Sequence, residues 1–420
     1  MIEVPASLPK KLMKQIVFLK KNGKLILFIL FSVFALYSTY LFLTSGQRGY
    51  DTVLVKLSEQ FLKRKFALSI YNLPVRDVAA YFNNYYVYFG PLASLLLMPF
   101  VFLLGESVPQ VSIGVFSMIT SFVAIYFIAK HFKFDSLDSL WLSLFFVFST
   151  VLFSSSVINI TAYQVEALGA PFILLALAAY FYKKPSLLIG LLIGLAVMTR
   201  FTLMISLLFF FVELLQKRLS LKNFLFILIP VIIAILALGF YNNRRFHSFF
   251  ETGYNYSITK NDGPISHNFS YGDKGLIHIP ANLYSFLIMS PEPLLLKHDG
   301  GMVLKFPYLK ASPWGIAIWF TSPLFLLLIT NFKKGKYTLS AALAGFALSI
   351  PVFLWYSIGY AQFGYRYALD FLPFLFLILL SSLSPKLSKI AILLIIVGIV
   401  FNCIYTDSIW EIYPLFNIYR

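Results

Sequence analysis

Long apolar runs separated by short polar turns, most of them basic, make up nearly the whole chain. The first run, Leu25 to Thr44, follows Lys10, Lys11, Lys14, Lys20, Lys21 and Lys24. A membrane-spanning helix needs roughly 20 apolar residues, and this run has that length. Further runs cover Gln110 to Ala129, Leu140 to Ile158, a stretch ending at Lys183-Lys184, Leu187 to Thr199, Leu203 to Leu215 and Phe224 to Tyr241. After a long polar interval come Trp314 to Thr330, Leu339 to Tyr356, and two more on either side of Lys386 and Lys389. The pattern predicts an all-α polytopic integral membrane protein of about 11 transmembrane helices. It forms one membrane domain over 1–420, with no soluble domain and no internal repeat.

Basic turns fix the expected orientation, because cytoplasmic loops carry the excess of Lys and Arg. The leading lysines place the N-terminus in the cytoplasm, and the first loop, 45–108, then lies outside. Lys130-His131-Phe132-Lys133, Lys183-Lys184, Lys217-Arg218 and Lys333-Lys334-Lys336 all fall inside, provided that Pro91 to Leu104 does not cross. That run is about fourteen residues long, short for a span, and it contains Pro99. It is expected to be re-entrant or interfacial.

The first loop begins Gly49-Tyr50-Asp51 and turns amphipathic. Leu54, Leu57, Phe61 and Leu68 recur at roughly helical spacing, with Lys56, Glu59, Lys63 and Arg64 on other faces. This predicts a helix lying on the membrane surface. Asn72-Leu73-Pro74-Val75-Arg76-Asp77 and an aromatic turn with Tyr81, Tyr85, Tyr86 and Tyr88 follow. A second long loop, after the seventh run, holds most of the histidines, and its Leu283 to Met289 segment is expected on the bilayer. His247, His267, His278 and His298 show no metal-ligand spacing, so they are read as solvated loop residues.

Composition agrees with this class: 59% of the residues are hydrophobic and 12% charged. A net charge of +17 would suggest a nucleic-acid partner for a soluble protein. Here it lies in short turns, where it sets orientation, and no nucleic acid is expected. Cys403 is the one cysteine, which rules out an intrachain disulfide and a cysteine-based metal site. The N-terminal run lacks a small-residue cleavage site and is read as a retained anchor.

Ionisable residues collect at the outward ends of the runs: Asp51, Asp77, Glu166, Arg200, Arg244, Arg245, Arg366 and Asp370. Such groups are costly at membrane depth and often mark function. Each also has a plain role. Asp51 would cap the amphipathic helix, and Arg366 would pair with Asp370 four residues on. Glu166 would be an ordinary interfacial residue, Arg200 would snorkel to headgroups, and Arg244-Arg245 would be a common basic pair after a span.

The order of these features resembles the GT-C glycosyltransferases, in particular the bacterial relatives of protein O-mannosyltransferases and aminoarabinose transferases. Arg48-Gly49-Tyr50-Asp51 is similar to the acid that follows the first span there, and Tyr85-Tyr86-Val87-Tyr88-Phe89-Gly90-Pro91 to the tyrosine-proline segment. Gly190 to Arg200, Asn242-Asn243-Arg244-Arg245-Phe246 with Thr252-Gly253-Tyr254, and Tyr365-Arg366-Tyr367 before Pro373 resemble later family segments. The likeness is strongest over a 1–255 catalytic module, with 256–420 supplying the later outer loop and C-terminal spans. Where many relatives have aspartate in the second outer loop, this chain has Glu166.

The resemblance implies sugar transfer from a polyprenyl-phosphate carrier to a lipid, glycan or protein acceptor. The reaction would occur at the outer face of a bacterial or archaeal cytoplasmic membrane, with membrane lipids around the carrier. Asp51 would be the general base and Glu166 a second carboxylate. Arg200, Arg244, Arg245 and Arg366 would bind phosphate, beside Tyr85, Tyr86 and Tyr88. The scheme requires no metal, and Asp51 with Glu166 is the pair that would share a divalent ion. A lipid-linked sugar flippase or exporter, or a glycan polymerase or ligase, remains the competing class; an exporter has no need of a base at Asp51.

Overall fold

The computed structural model describes residues 10–44, 51–69, 77–258, 269–298 and 301–406, without the side chains of 10–21 and 296–298. The Gly49-Tyr50 and Asn72 to Arg76 segments and His267 lie outside the described residues. The chain is 68% helical. In order, the elements are α1 (Lys10–Thr44), α2 (Val53–Leu62), β1 (Val78–Tyr81), β2 (Asn84–Val87), α3 (Leu92–Leu104), α4 (Ser112–His131) and α5 (Ser136–Phe148). Then come α6 (Val151–Val157), α7 (Thr161–Phe181), α8 (Ser186–Val197), α9 (Leu207–Leu215), α10 (Leu221–Phe246) and α11 (Ile279–Leu287). The last are β3 (Glu292–His298), β4 (Gly301–Lys310), α12 (Ile318–Thr321), α13 (Leu327–Asn331), α14 (Thr338–Phe353), α15 (Leu372–Ser382) and α16 (Lys389–Tyr405).

Among the described residues four helices are long and apolar enough to cross a membrane: Asn22–Thr44 within α1, α4, α7 and α10. A fifth span arises if α5 and α6 count as one, bent by 57°. These helices mark a membrane protein, but by this measure the described residues hold four or five spans, fewer than the hydropathy runs suggest. The differences have local causes. In the Leu140 to Ile158 run, Thr150 leaves helical geometry (ψ 173°) and its Oγ1 accepts from Leu152 N. That hydroxyl also donates to Phe146 O at 2.6 Å, so it ends one helix and caps the next. The Trp314 to Thr330 run breaks into α12, a 3₁₀ turn at Pro323–Leu326, and α13. Pro323 has no N–H to continue a helix.

The fold is also not purely α. β1 and β2 form an antiparallel hairpin in the register Val78↔Val87 to Tyr81↔Asn84. Its two-residue turn, Phe82-Asn83, has φ 43° and 57°, the positive values that a tight hairpin turn needs. The aromatic turn expected here is therefore a pair of strands. A second hairpin joins β3 and β4.

The expected surface helix is shorter and more enclosed. α2 stops at Leu62 and buries Val53, Leu54, Val55 and Leu57 completely, and Ser58 Oγ donates to Ser94 O of α3 at 2.8 Å. α3 itself has 13 residues, about 20 Å at 1.5 Å per residue, short of the roughly 30 Å hydrocarbon core. Its far end exposes Phe100, Phe102, Leu103 and Leu104 by 56 to 75%.

Two ends of the bundle can be told apart. At one, Lys24 pairs with Asp138, which accepts from Leu387 N, while His131, Phe181 and Tyr337 stack where α4 and α7 finish and α14 starts. Glu213 is fully buried there, held by Tyr180, Arg218 and Ser340. This is the basic end. α7 starts at the other end, and α1 reaches it beside α16, where Ser38 meets Cys403.

Candidate functional site

The first amides of a helix have no partner within it and sit at the positive end of its dipole. At α7 two aspartates take them. Asp51 Oδ2 accepts from Thr161 N at 2.8 Å and from Thr161 Oγ1 at 2.7 Å, while its Oδ1 accepts from Val53 N at 3.0 Å. Asp77 Oδ2 accepts from the next amide, Ala162 N, at 3.1 Å, and its Oδ1 from Tyr88 OH at 2.9 Å. Asp51 thus takes the first amide of α2, though Thr52 and not Asp51 holds the N-cap position. Its second oxygen reaches 110 residues along the chain. Gln110 ties the two helix starts together, accepting from Leu54 N at 2.8 Å and donating to Thr161 Oγ1.

Burial and the neighbouring charge of Asp51 push the Asp77 carboxyl up to about 6, against the lowering effects of Tyr88, Ala162 N and Arg366. Burial and Asp77 hold the Tyr88 phenol well above its ordinary value, so Tyr88 stays the donor.

One turn further along α7, Glu166 is 4% exposed and receives Arg366 Nε at 2.8 Å. Arg366 also donates to Gln362 Oε1 and Tyr367 OH, with the rings of Tyr163 and Tyr367 against its guanidinium. Beside it, Arg200 Nη1 donates to Asp370 Oδ1 at 2.9 Å, and Thr202 Oγ1 to Oδ2. The expected Arg366–Asp370 pair is thus replaced by two cross-pairs. The reason is local: residues 366–370 form a 3₁₀ turn, in which i and i+3 eclipse and i and i+4 do not share a face. Glu166, bound to Arg366, is likewise not an ordinary interfacial residue.

Tyr254 connects the two halves, interacting electrostatically with Arg200, Glu166, Tyr367 and Asp77. Its ring lies 4.6 Å from Tyr88, 6.1 Å from Phe89 and 5.5 Å from Trp355, centroid to centroid. Gly253 positions it, with φ 95° and no room for a Cβ against the Phe246 ring. Tyr254 is still 38% exposed, so an aromatic rim with an open side borders the charges. Arg200, with 20% of its side chain exposed, is the more accessible of the two guanidiniums; Arg366 has 9%.

The structure brings together Asp51, Glu166, Arg200, Arg366 and Tyr88. Arg245 is placed elsewhere: 2% exposed, it donates to Val87 O and Asn242 Oδ1 and lies over the rings of Tyr241 and Phe246. It fastens the β1–β2 hairpin to α10. Arg244 is exposed, Tyr86 packs on Phe246, and Tyr85 pairs with Ala80 and Leu68 on the hairpin. His278 is buried and bonded to Gly272 O, so it is no solvated residue. Sequence reasoning assigns Asp77 no role beyond flanking a span, names Tyr254 only within a family-like segment and misses Tyr163 and Gln362. An acid four residues ahead of the tyrosine-rich stretch Tyr81 to Tyr88 is the signal that was there to find.

Asp51 and Glu166 bind different partners, and among the described residues no three His, Cys, Asp or Glu side chains gather as metal ligands. With Asp51, Asp77, Glu166 and Asp370 against two arginines, the cluster carries an excess of acid, suited to taking a proton from an incoming hydroxyl. Comparison of the chain with protein-family models, curated proteins and solved structures finds no match, so the site is interpreted from its own geometry.

Proposed function

We propose that the chain is a GT-C type membrane glycosyltransferase, moving a sugar from a polyprenyl-phosphate carrier to a lipid, glycan or protein acceptor at the outer face. In this proposal the shorter apolar helices complete a set of about 11 spans, several of them broken or short for a full crossing. The N-terminus is cytoplasmic and the α7 start faces out.

The observation that carries the proposal is the Asp51 carboxylate, fixed on the start of α7 beside Asp77, with Arg200 across Tyr254 in the same charged cluster. Asp51 takes the proton of the acceptor hydroxyl while that oxygen attacks the anomeric carbon. The bond from anomeric carbon to phosphate oxygen breaks, and the electron pair leaves on the phosphate. Arg200 meets that phosphate, since guanidinium N–H groups match phosphate oxygens. Glu166 holds Arg366 in place beneath it, acting as a positioning residue and not as a second base.

The test uses the full chain in proteoliposomes with a panel of polyprenyl-phosphate sugars and of lipid, glycan and peptide acceptors bearing free hydroxyls, following release of polyprenyl phosphate by mass spectrometry. Asp51→Asn keeps a capping oxygen but cannot take the proton, so release is expected to fall by about 10²-fold, the scale of a lost general base. Near-normal release by Asp51→Asn would overturn the mechanism. Passage of the intact lipid-linked sugar across the bilayer, with no release at all, would mark an exporter instead.

A further inference from the structure

The β3–β4 hairpin belongs neither to the charged cluster nor to the bundle core. Its strands pair as Glu292↔Lys310, Leu295↔Leu304 and Leu296↔Val303. Met302, Leu304 and Phe306 alternate along β4 and so share one face, with Leu295 directly opposite Leu304. They are 67, 52, 71 and 43% exposed. Tyr308, 55% exposed, sets its ring edge-on to Phe306 at 5.8 Å. Val303, 59% exposed, and Lys305 occupy the alternate positions. A lone two-stranded hairpin is at best marginal in water, and contiguous apolar exposure of this kind marks a contact surface.

Continuity with the helix beside it identifies what covers that face. Tyr405 OH, at the end of α16, donates to Pro307 O at 2.8 Å and holds the base of the hairpin. The outer side of α16 is a stripe of Ile390, Leu393, Val397 and Ile404, 37 to 63% exposed and recurring at helical spacing. On a membrane bundle such a stripe faces lipid, and the hairpin prolongs it past the helix end. The preceding segment repeats the feature: Leu276, Ile277, Tyr284 and Ile288, in and around α11, are 49 to 76% exposed. Trp319 Nε1 donates to Leu287 O and ties that segment to α12. Because α1 and α16 run in the same direction from the basic end, this apolar band lies at the end where α7 starts.

We propose that the hairpin inserts its Met302–Leu304–Phe306 face into the lipid leaflet on the side of the charged cluster, with bilayer lipid as the occupant. Its apolar side chains sit at the boundary of headgroups and acyl chains, roughly 5–10 Å deep. Lys305, on the alternate side, turns back toward headgroup phosphates.

The test places an environment-sensitive NBD fluorophore at Phe306→Cys in a Cys403→Ser background of the full chain. The protein is reconstituted in phosphatidylcholine vesicles with and without a doxyl-labelled lipid. Blue-shifted emission, quenched at least twofold by the doxyl lipid and little by aqueous iodide, is the expected result. The same fluorophore at Lys184→Cys should show the opposite preference. Iodide quenching without doxyl quenching at Phe306→Cys would overturn the proposal. So would blue-shifted emission that ignores the doxyl lipid but disappears on dilution into excess vesicles, which would assign the face to a second copy. Met302→Cys repeats the measurement if Phe306→Cys fails to fold, and must give the same pattern.

Discussion

Asp77 carries more strain than any other member of the charged cluster. Its φ of 60° is a left-handed conformation that Asp and Asn tolerate better than most residues, and its carboxyl is pushed up to about 6 by burial and by Asp51. The sign of the consequence follows from linkage. A folded acid with a raised pKa contributes stability below its unfolded value near 3.8 and loses it as pH climbs through about 6. Asp77→Asn removes that titration and suits the same backbone. Its carbonyl accepts from Ala162 N, and its amide donates to the Tyr88 oxygen. The stability difference, variant minus parent, is expected to rise by about 1–2 kcal/mol between pH 4 and pH 8, followed by thermal unfolding in detergent. A difference that does not move with pH would mean that Asp77 titrates like an exposed acid. The arginines are subject to a different rule. Arg366 and Glu166 are both closed to solvent, so removing either strands a buried charge; a weak variant there reports lost folding before it reports lost chemistry. Arg200 is itself partly open, but its partner Asp370 is 2% exposed, so removing Arg200 strands a buried carboxylate too, and only the charge-keeping Arg200→Lys separates the two effects.

Among the elements, hydropathy found α4 and α10 with ends within five residues of those observed, because long uninterrupted apolar runs leave little choice, and it found the apolar parts of α1 and α7 but not their starts at Lys10 and Thr161. It failed where single hydroxyls or prolines decide the path. Thr150 and Pro323 cost almost nothing in an apolarity count yet break two runs. The β1–β2 strands have four residues each, too few to register an alternation among so many tyrosines. The cross-pairs of Arg200 and Arg366 were invisible for another reason: they join segments 170 and 200 residues apart, and no local spacing encodes that. The glycines of α8 were legible as a pattern, and the structure gives them a use. A Cβ on Gly190 would stand 2.2 Å from Ile227 O of α10, and one on Gly194 3.1 Å from Pro230 O. Small residues four apart let helix backbones approach closely in lipid. Gly190→Val must therefore push α8 away from α10, while Leu191→Val, at a position 50% exposed, leaves the packing alone. The Gly190 variant is expected to lose at least 2 kcal/mol, at the upper range for overpacking, and the Leu191 variant under 0.5 kcal/mol. Equal melting temperatures would show that the two helices do not depend on this contact.

For the molecule as a whole, the separation of its ends is what makes the site interpretable. α4 has 20 residues, about 30 Å of rise, the thickness of a bilayer's hydrocarbon core. Just before it, Gln110 is bonded to the starts of α2 and α7; at its last residue, His131 stacks on Phe181 at the finish of α7. α4 and α7 thus run parallel between the same two ends, and if either crosses the membrane both do. Gln110, six residues past the end of α3, is bonded back to the α2 start, so α3 does not carry the chain across and Glu106 stays on the side of Asp51. Single cysteines in a Cys403→Ser background turn this into a measurement. With an impermeant maleimide added to intact cells, Glu106→Cys and Phe82→Cys should both label. Lys133→Cys and Lys184→Cys, in the turns that follow α4 and α7, should label only after permeabilisation. Glu106 and Lys184 labelling from one side would remove α4 and α7 as spans. Glu106 labelling opposite to Phe82 would make α3 a true crossing, and the Asp51 carboxylate could no longer share a membrane face with the loop that leads into α4.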